Sequence, residues 1–205
     1  MNISINNPKS TLRMDVKQNS LYPVFLKMNR IQTLIVGGGD VALEKLSFLL
    51  KSSPNANIVI VAPSFHTTLI EYTKEYPIKL ISNNYDQSHL EGKDLVIAAT
   101  NRIPLNQQIF DDVKKRGLLI NIADSPSLCD FYLGGIVTKG DLKIAFSTNG
   151  KSPTTAKILR QFFEGILPEQ IEELIYNLNL YRKEIKGTLK QKVEQLNTLT
   201  KQFLP

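Results

Sequence analysis

Ile31–Ala42, IQTLIVGGGDVA, decides the fold. The apolar run Thr33–Val36 passes straight into three glycines, and an amphipathic stretch with Val41, Leu46, Leu49 and Leu50 follows at once. Gly37, Gly39 and Ala42 keep the spacing G-x-G-x-x-G/A, which marks a strand, a tight turn and a helix that together bind a dinucleotide. Gly37 permits the sharp turn, Gly39 lets the backbone approach a pyrophosphate, and Ala42 is small enough for the helix to pack close to the strand. The helix N-terminus then offers free N–H groups and the positive end of its dipole. Glycine-rich turns are common on protein surfaces, so the weight lies on the strand before and the helix after.

Outward from this stretch, strands and helices alternate. Asn57–Ala62 and Leu95–Ala99 are continuous apolar runs of the kind that a parallel sheet covers on both faces, and Ile78–Ser82 and Leu118–Ala123 read as further strands. Phe65–Tyr76 and Pro104–Arg116 read as the intervening helices. The order predicts a Rossmann-like, doubly wound parallel sheet. Leu21–Met28 is expected as an extended lead-in lying against it.

The pattern changes after Pro126. Phe131–Val137 and Leu142–Ser147 read as an antiparallel hairpin, either a dimerisation element or an addition to the edge of the same sheet. From Ser152, an N-cap followed by Pro153, the chain turns helical in three segments. The expected organisation is a polar arm over 1–20, a dinucleotide-binding domain over 21–126, a hairpin region over 127–150 and a helical domain over 151–205.

The chain of 205 residues is 42% hydrophobic and carries a net charge of +6, enough apolar side chain for a core and a bias toward anionic partners. Its single cysteine, Cys129, excludes an internal disulfide and a thiolate cluster and fits a cytoplasmic setting. No run is long and apolar enough for a membrane span, and the first twenty residues lack a signal-peptide core. Tyr181–Pro205 holds six basic residues against two acidic ones, which suits either a solvated face or a carboxylate-rich ligand. Its aromatic residues are not interleaved with the basic ones, so nucleic acid is not expected.

Ligands of open parallel sheets sit beyond the carboxyl ends of the strands, which selects Gly37–Val41, Pro63-Ser64, Thr100-Asn101 and Asp124-Ser125. The second strand ends without the acid that ordinarily holds an adenosine ribose; no arginine replaces it, so NAD is expected over NADP. Asp124 is either a partly desolvated general base or the first residue of an Asx-turn before Pro126. Ser147–Ser152, with Lys151, is either an anion-binding loop or a capped turn. His66, His89 and Cys129 lack the spacing of metal ligands or of a nucleophile–base pair and read as structural or surface residues; no metal is expected.

Taken together, YPVFLKM, LIVGGGDVALEK, IVIVAP, DLVIAATN, NQQI, INIADSP and STNGKSPTTAKILR resemble the precorrin-2 dehydrogenase family, the N-terminal module of siroheme synthases, over Leu21 to about Tyr181. The resemblance implies an enzyme that oxidises precorrin-2 to sirohydrochlorin with NAD⁺ on the route to siroheme or cobalamin. It implies a homodimer, and in some members iron insertion as well. It makes Asp124, in the N-x-x-D-x-P context of Asn121–Pro126, the catalytic acid/base. It assigns cofactor contacts to Gly37, Gly38, Gly39, Asp40, Val41, Pro63 and Ser64, with Thr100 and Asn101 bordering them. Thr148, Asn149, Lys151 and Arg160 are then candidate contacts for the substrate's carboxylates. The competing reading is an NAD-sensing regulatory module that performs no chemistry.

Overall fold

Five short apolar runs form strands: β1 (Gln32–Val36), β2 (Asn57–Ala62), β3 (Lys79–Ser82), β4 (Leu95–Ala98) and β5 (Leu119–Ile122). In the computed structural model, which describes residues 19–201, they make one parallel sheet in the order β3-β2-β1-β4-β5. The expected polar arm therefore lies almost wholly outside the described residues. Val36 sits opposite both Val61 and Ala98, and Ala98 opposite Ile122, so the strands finish nearly level.

Helices α1 (Asp40–Ser52), α2 (Thr67–Thr73) and α3 (Ile103–Lys115) connect the strands. Alternate strand residues point to opposite faces, and each face has its own core. Ile35, Ile60 and Ile97 meet Ala42, Leu46 and Leu50 of α1 and Leu69 of α2. Leu34, Val61, Val96 and Ile120 meet Ile109 and Val113 of α3. Coverage on both faces explains why the strands read as unbroken apolar runs.

The lead-in departs from expectation. Tyr22, Val24, Phe25 and Leu26 are exposed, and only Met28 is buried in the core. Met28 O accepts from Asn57 N at 3.2 Å, and Asn57 Nδ2 donates to Asn29 O at 2.7 Å. The lead-in is thus held at its last residues and stands off the sheet before them.

The free edge of β5 is closed by its own continuation. Asp130 N donates to Ile120 O at 2.8 Å, and Ile120 N donates to Asp130 Oδ2 at 3.0 Å. The other Asp130 oxygen pairs with Lys114 of α3. Asn121 Nδ2 donates to Phe131 O at 2.8 Å. These bonds satisfy an edge that would otherwise expose a row of backbone groups. They also hold Phe131 at the core, so the next strand begins later than the apolar run suggests.

That strand, β6 (Gly135–Lys139), pairs antiparallel with β7 (Leu142–Phe146) in a separate two-stranded sheet, not on the edge of the parallel one. Gly140, at φ +54°, supplies the positive dihedral at the first position of the two-residue turn. Lys143 Nζ donates to Ser52 O and, at 2.9 Å, to Ser52 Oγ, placing a cation at the C-terminus of α1. Helix α4 (Pro153–Ile166) covers the hairpin through Phe163, whose ring lies 5.2 Å from that of Phe146. Its cap is as expected: Ser152 Oγ accepts from Thr155 N at 3.2 Å, and Pro153 opens the helix. Helices α5 (Ile171–Glu184) and α6 (Leu189–Thr200) follow.

Replacing Asp130 with alanine strands the Ile120 N–H and frees Lys114. The expected loss is about 2 kcal/mol of unfolding free energy. Urea denaturation should show it as a lower midpoint with an unchanged slope.

Candidate functional site

Level strand ends bring the exits of β1, β2 and β4 together, and the strand order reverses between β1 and β4, where parallel sheets open a crevice. The crevice has a volume of about 450 Å³ and is lined by the glycine loop, Pro63-Ser64, His66, Asn84-Tyr85 and the turn from Ala99 to Leu105.

The three glycines serve different contacts. Gly37, at φ +138°, lies so close to Ala99 that a Cβ there would come 2.2 Å from its carbonyl oxygen. A Cβ on Gly38 would come 2.0 Å from Ser64 O. At Gly39 the nearest atom to such a Cβ is 3.7 Å away, on the His66 imidazole. Gly37 and Gly38 therefore permit loops to touch, whereas Gly39 keeps space open in front of α1. Gly39 is also the N-cap of α1 and provides no side-chain bond, so the first N–H groups of the helix lack a side-chain acceptor. An open cradle facing uncapped donors fits a dinucleotide diphosphate. Ala42 is fully buried against the sheet, as close helix packing requires.

At the end of β2 no acid is present, and the loop is laced to its neighbours by backbone bonds. His66 N donates to Gly38 O at 2.8 Å, and Asn83 N donates to Ala62 O at 3.0 Å. Asp40, in the first turn of α1, is 86% exposed and lies 3.1 Å from His66 Nδ1. His66 was expected among structural or surface residues; instead it lines the crevice. Helix α2 begins at Thr67, two residues later than the apolar pattern indicates, which leaves His66 in the loop that exits β2. His89 is structural, its Nδ1 accepting from Asp86 N at 3.0 Å in a capping box.

At the end of β4, Thr100 Oγ1 donates to Asn106 Oδ1 at 2.6 Å, and Asn106 Nδ2 donates to Thr100 O at 3.1 Å. This reciprocal clamp shapes the turn that carries Asn101 and Arg102. Tyr85, opposite, donates to Asp112 at 3.3 Å; burial, then the Asp112 charge, raise its phenol well above the ordinary range.

Asp124 follows β5 and does not line the crevice itself. It lies two strand positions from β1, on the order of 10 Å along the sheet edge. It adopts the left-handed conformation, φ +59°, and its side chain is exposed, in contrast to the expected partial desolvation. Cys129 ties this loop together. Its single S–H lies 3.3 Å (Sγ to oxygen) from both Ile122 O and Ser125 O, which share it, and its Sγ accepts from Ile122 N at 3.2 Å. Burial pushes the thiol upward, so it stays protonated and able to donate.

The loop before α4 packs beside Asp124. A Cβ on Gly150 would lie 3.9 Å from Pro126 and equally far from the Tyr132 ring, and Tyr132 OH donates to Pro126 O at 3.3 Å. Thr148 Oγ1 is used within this loop: it donates to Ser152 O and accepts from Ser152 N, each at 3.0 Å. Asn149, at φ +55°, is half-buried on it, and Lys151 is exposed. Arg160 is engaged by Glu164 one turn further along α4. Among the described residues no group of three His, Cys, Asp or Glu side chains could hold a metal ion.

Two outcomes are expected. Gly39→Ala should fold with unchanged stability, because its Cβ meets only van der Waals contacts, yet weaken NAD⁺ binding by about tenfold or more by filling the diphosphate space. Calorimetry and thermal unfolding on one sample separate the two effects. For Cys129, the raised thiol makes a contribution to stability that is fully present below the unfolded value of about 8.5. It is lost as pH rises through the higher folded value, and Cys129→Ala should remove that alkaline dependence.

An NAD(P)-binding family model matches residues 24–135, and a model described as sirohaem biosynthesis protein central matches residues 139–165. The siroheme synthase of Pseudoalteromonas translucida is 36% identical over 168 residues, covering 82% of this chain and 35% of that protein. The siroheme synthase of Nitrosococcus oceani is 34% identical over 164 residues, covering 80% of this chain and 35% of that protein. The chain thus spans about a third of the length of these relatives. The solved structure of SirC, precorrin-2 dehydrogenase, shares the fold with a TM-score of 0.69 at 21% identity, covering 87% of this chain and 89% of that one. With its glycine loop, level strand ends and uncapped α1 all inside the matched region, the chain belongs to the NAD(P)-binding family.

Proposed function

We propose that the chain oxidises precorrin-2 to sirohydrochlorin with NAD⁺, as a step in siroheme biosynthesis. The observation that carries this reading is Asp124, a carboxylate fixed in a left-handed turn beside the dinucleotide crevice, with the Asn149-Gly150 loop packed on its neighbour Pro126. The relatives' names and the shared fold with a precorrin-2 dehydrogenase point the same way.

In this reading the N–H groups of Asp40 and Val41, with the tight turn that Gly37 and Gly38 allow and the space that Gly39 keeps, hold the diphosphate. Pro63 and Ser64 meet the adenosine half through backbone groups, since no acid is placed there. Thr100 and Asn101 border the path toward β5. The bound dinucleotide supplies the hydride acceptor. Asp124 takes the proton that leaves the substrate as the hydride departs from the adjoining carbon, so two electrons and two protons leave the macrocycle in all. Asn149 and Lys151 face the substrate's carboxylates from the neighbouring loop; Thr148 sets that loop's shape, and Arg160 joins once released from Glu164.

A homodimer completes the arrangement. Ile158, Leu159, Phe162 and Ile166 leave an exposed apolar stripe on α4, next to a hairpin unpaired on both outer edges among the described residues. A cytoplasmic setting suits the lone thiol.

Incubation with precorrin-2 and NAD⁺ should form NADH and sirohydrochlorin in equal amounts, followed by absorbance. Asp124→Asn keeps the left-handed turn, which asparagine accepts readily, and removes the base. It should lower turnover by about 10² to 10⁴ and leave the NAD⁺ dissociation constant within about twofold. NAD⁺ binding without any turnover by the unmodified protein would overturn the enzyme and leave a nucleotide sensor.

A further inference from the structure

We infer that His66 is a cofactor-binding residue and that the chain takes up a proton at its imidazole when the dinucleotide binds. The inference rests on the crevice being the dinucleotide site, not on the identity of the second substrate.

His66 stands between two anionic positions. Its Nδ1 is 3.1 Å from Asp40 Oδ1. Its other side, Cε1 and Nε2, lies 3.7 and 3.8 Å from the position of a Gly39 Cβ, the space that receives the diphosphate. A neutral imidazole has one N–H and one lone pair. If Nδ1 carries the hydrogen, it donates to Asp40 and the Nε2 lone pair faces the diphosphate. If Nε2 carries it, the Nδ1 lone pair faces the Asp40 carboxylate. Either neutral form sets a lone pair against an anion, and only the imidazolium donates to both. Before binding, the side of the ring away from Asp40 meets solvent, since the side chain is 58% exposed, and no such conflict exists. Bringing in the diphosphate therefore draws a proton onto the ring.

The neighbouring groups preserve this effect. On α1, the Asp40 carboxylate faces Nδ1, while Glu44 is engaged by Lys45 at 2.9 Å. On α2, Glu71 is paired with Lys74 at 2.7 Å. Across the crevice Tyr85 stays neutral, its phenol held by Asp112. Arg102, on the turn after β4, is a further cation of the lining and attracts the same anionic ligand. The missing acid after β2 removes the anion that would otherwise sit near this loop.

The sign follows from linkage. Binding raises the proton affinity of His66, so NAD⁺ binds tightest at acid pH, and its affinity falls as pH rises through the bound-state value of the imidazole. Calorimetric titration with NAD⁺ near pH 7, in two buffers of different ionisation enthalpy, should show uptake of a fraction of a proton. His66→Gln keeps a donor but cannot titrate. It should abolish the uptake and flatten the pH dependence, weakening binding about tenfold near pH 6 and less than about twofold near pH 9. The chain has two histidines, so proton NMR offers a direct readout. The His66 ring signal should titrate at higher pH with NAD⁺ present, and the His89 signal should not move. NAD⁺ binding with no proton uptake, or uptake retained in His66→Gln, would overturn the inference alone. No binding of NAD⁺ or NADP⁺ at any pH would overturn the dinucleotide site with it.

Discussion

Everything at this site depends on how closely the β1–α1 turn approaches its neighbours. Gly37 abuts the carbonyl of Ala99, and Gly38 abuts the carbonyl of Ser64. Any side chain at either glycine would separate the exits of β1, β2 and β4. The parallel register alone brings those strand ends level; the missing Cβ atoms let the loops beyond them touch. Gly37 N donates to Val61 O at 2.9 Å, and Ala99 N donates to Val36 O at 2.8 Å, so the ladder continues past the strands into the loops. The resulting crevice is framed by backbone bonded to backbone.

The exit of β5 is built on a different plan. Asp124 occupies a left-handed conformation that costs about 1 kcal/mol for most L-residues, less for aspartate. Its loop is fastened by side chains that reach the backbone: Asn121 to Phe131, Cys129 to Ile122 and Ser125, Asp130 to Ile120. A carboxylate can therefore stand exposed without the loop moving. Such an arrangement suits a base that must hold its place and meet a substrate arriving from solvent.

The sheet was legible because both its faces are covered, so each strand is a solid apolar run and each crossover helix has a stripe. The glycine loop was legible through its spacing. Boundaries were harder where a polar contact outweighs hydrophobic pattern. Phe131 looks like strand, but Asn121 holds its carbonyl to the core and pairing begins only at Gly135. His66 looks like the first turn of a helix that in fact starts one residue beyond it. Asn106 reaches back across a turn to Thr100, and Cys129 acts through a thiol's unusual bonding, neither of which a hydrophobic pattern records. Its place at a strand end suggests that Asp124 is partly desolvated, yet in its left-handed turn the residue is exposed.

The C-terminal part differs in kind from the sheet. The parallel sheet buries whole strands, whereas α4 buries one residue, Ala156, and leaves Ile158, Leu159, Phe162 and Ile166 in solvent. Among the described residues, this four-residue stripe at helical spacing stays uncovered beside a hairpin that pairs with no other strand. The loop bearing Asn149 and Lys151 connects that hairpin to α4 and packs on Pro126 beside Asp124. The half of the site made by glycines lies wholly on the parallel sheet, whereas the loop packed beside Asp124 is carried by the hairpin and α4.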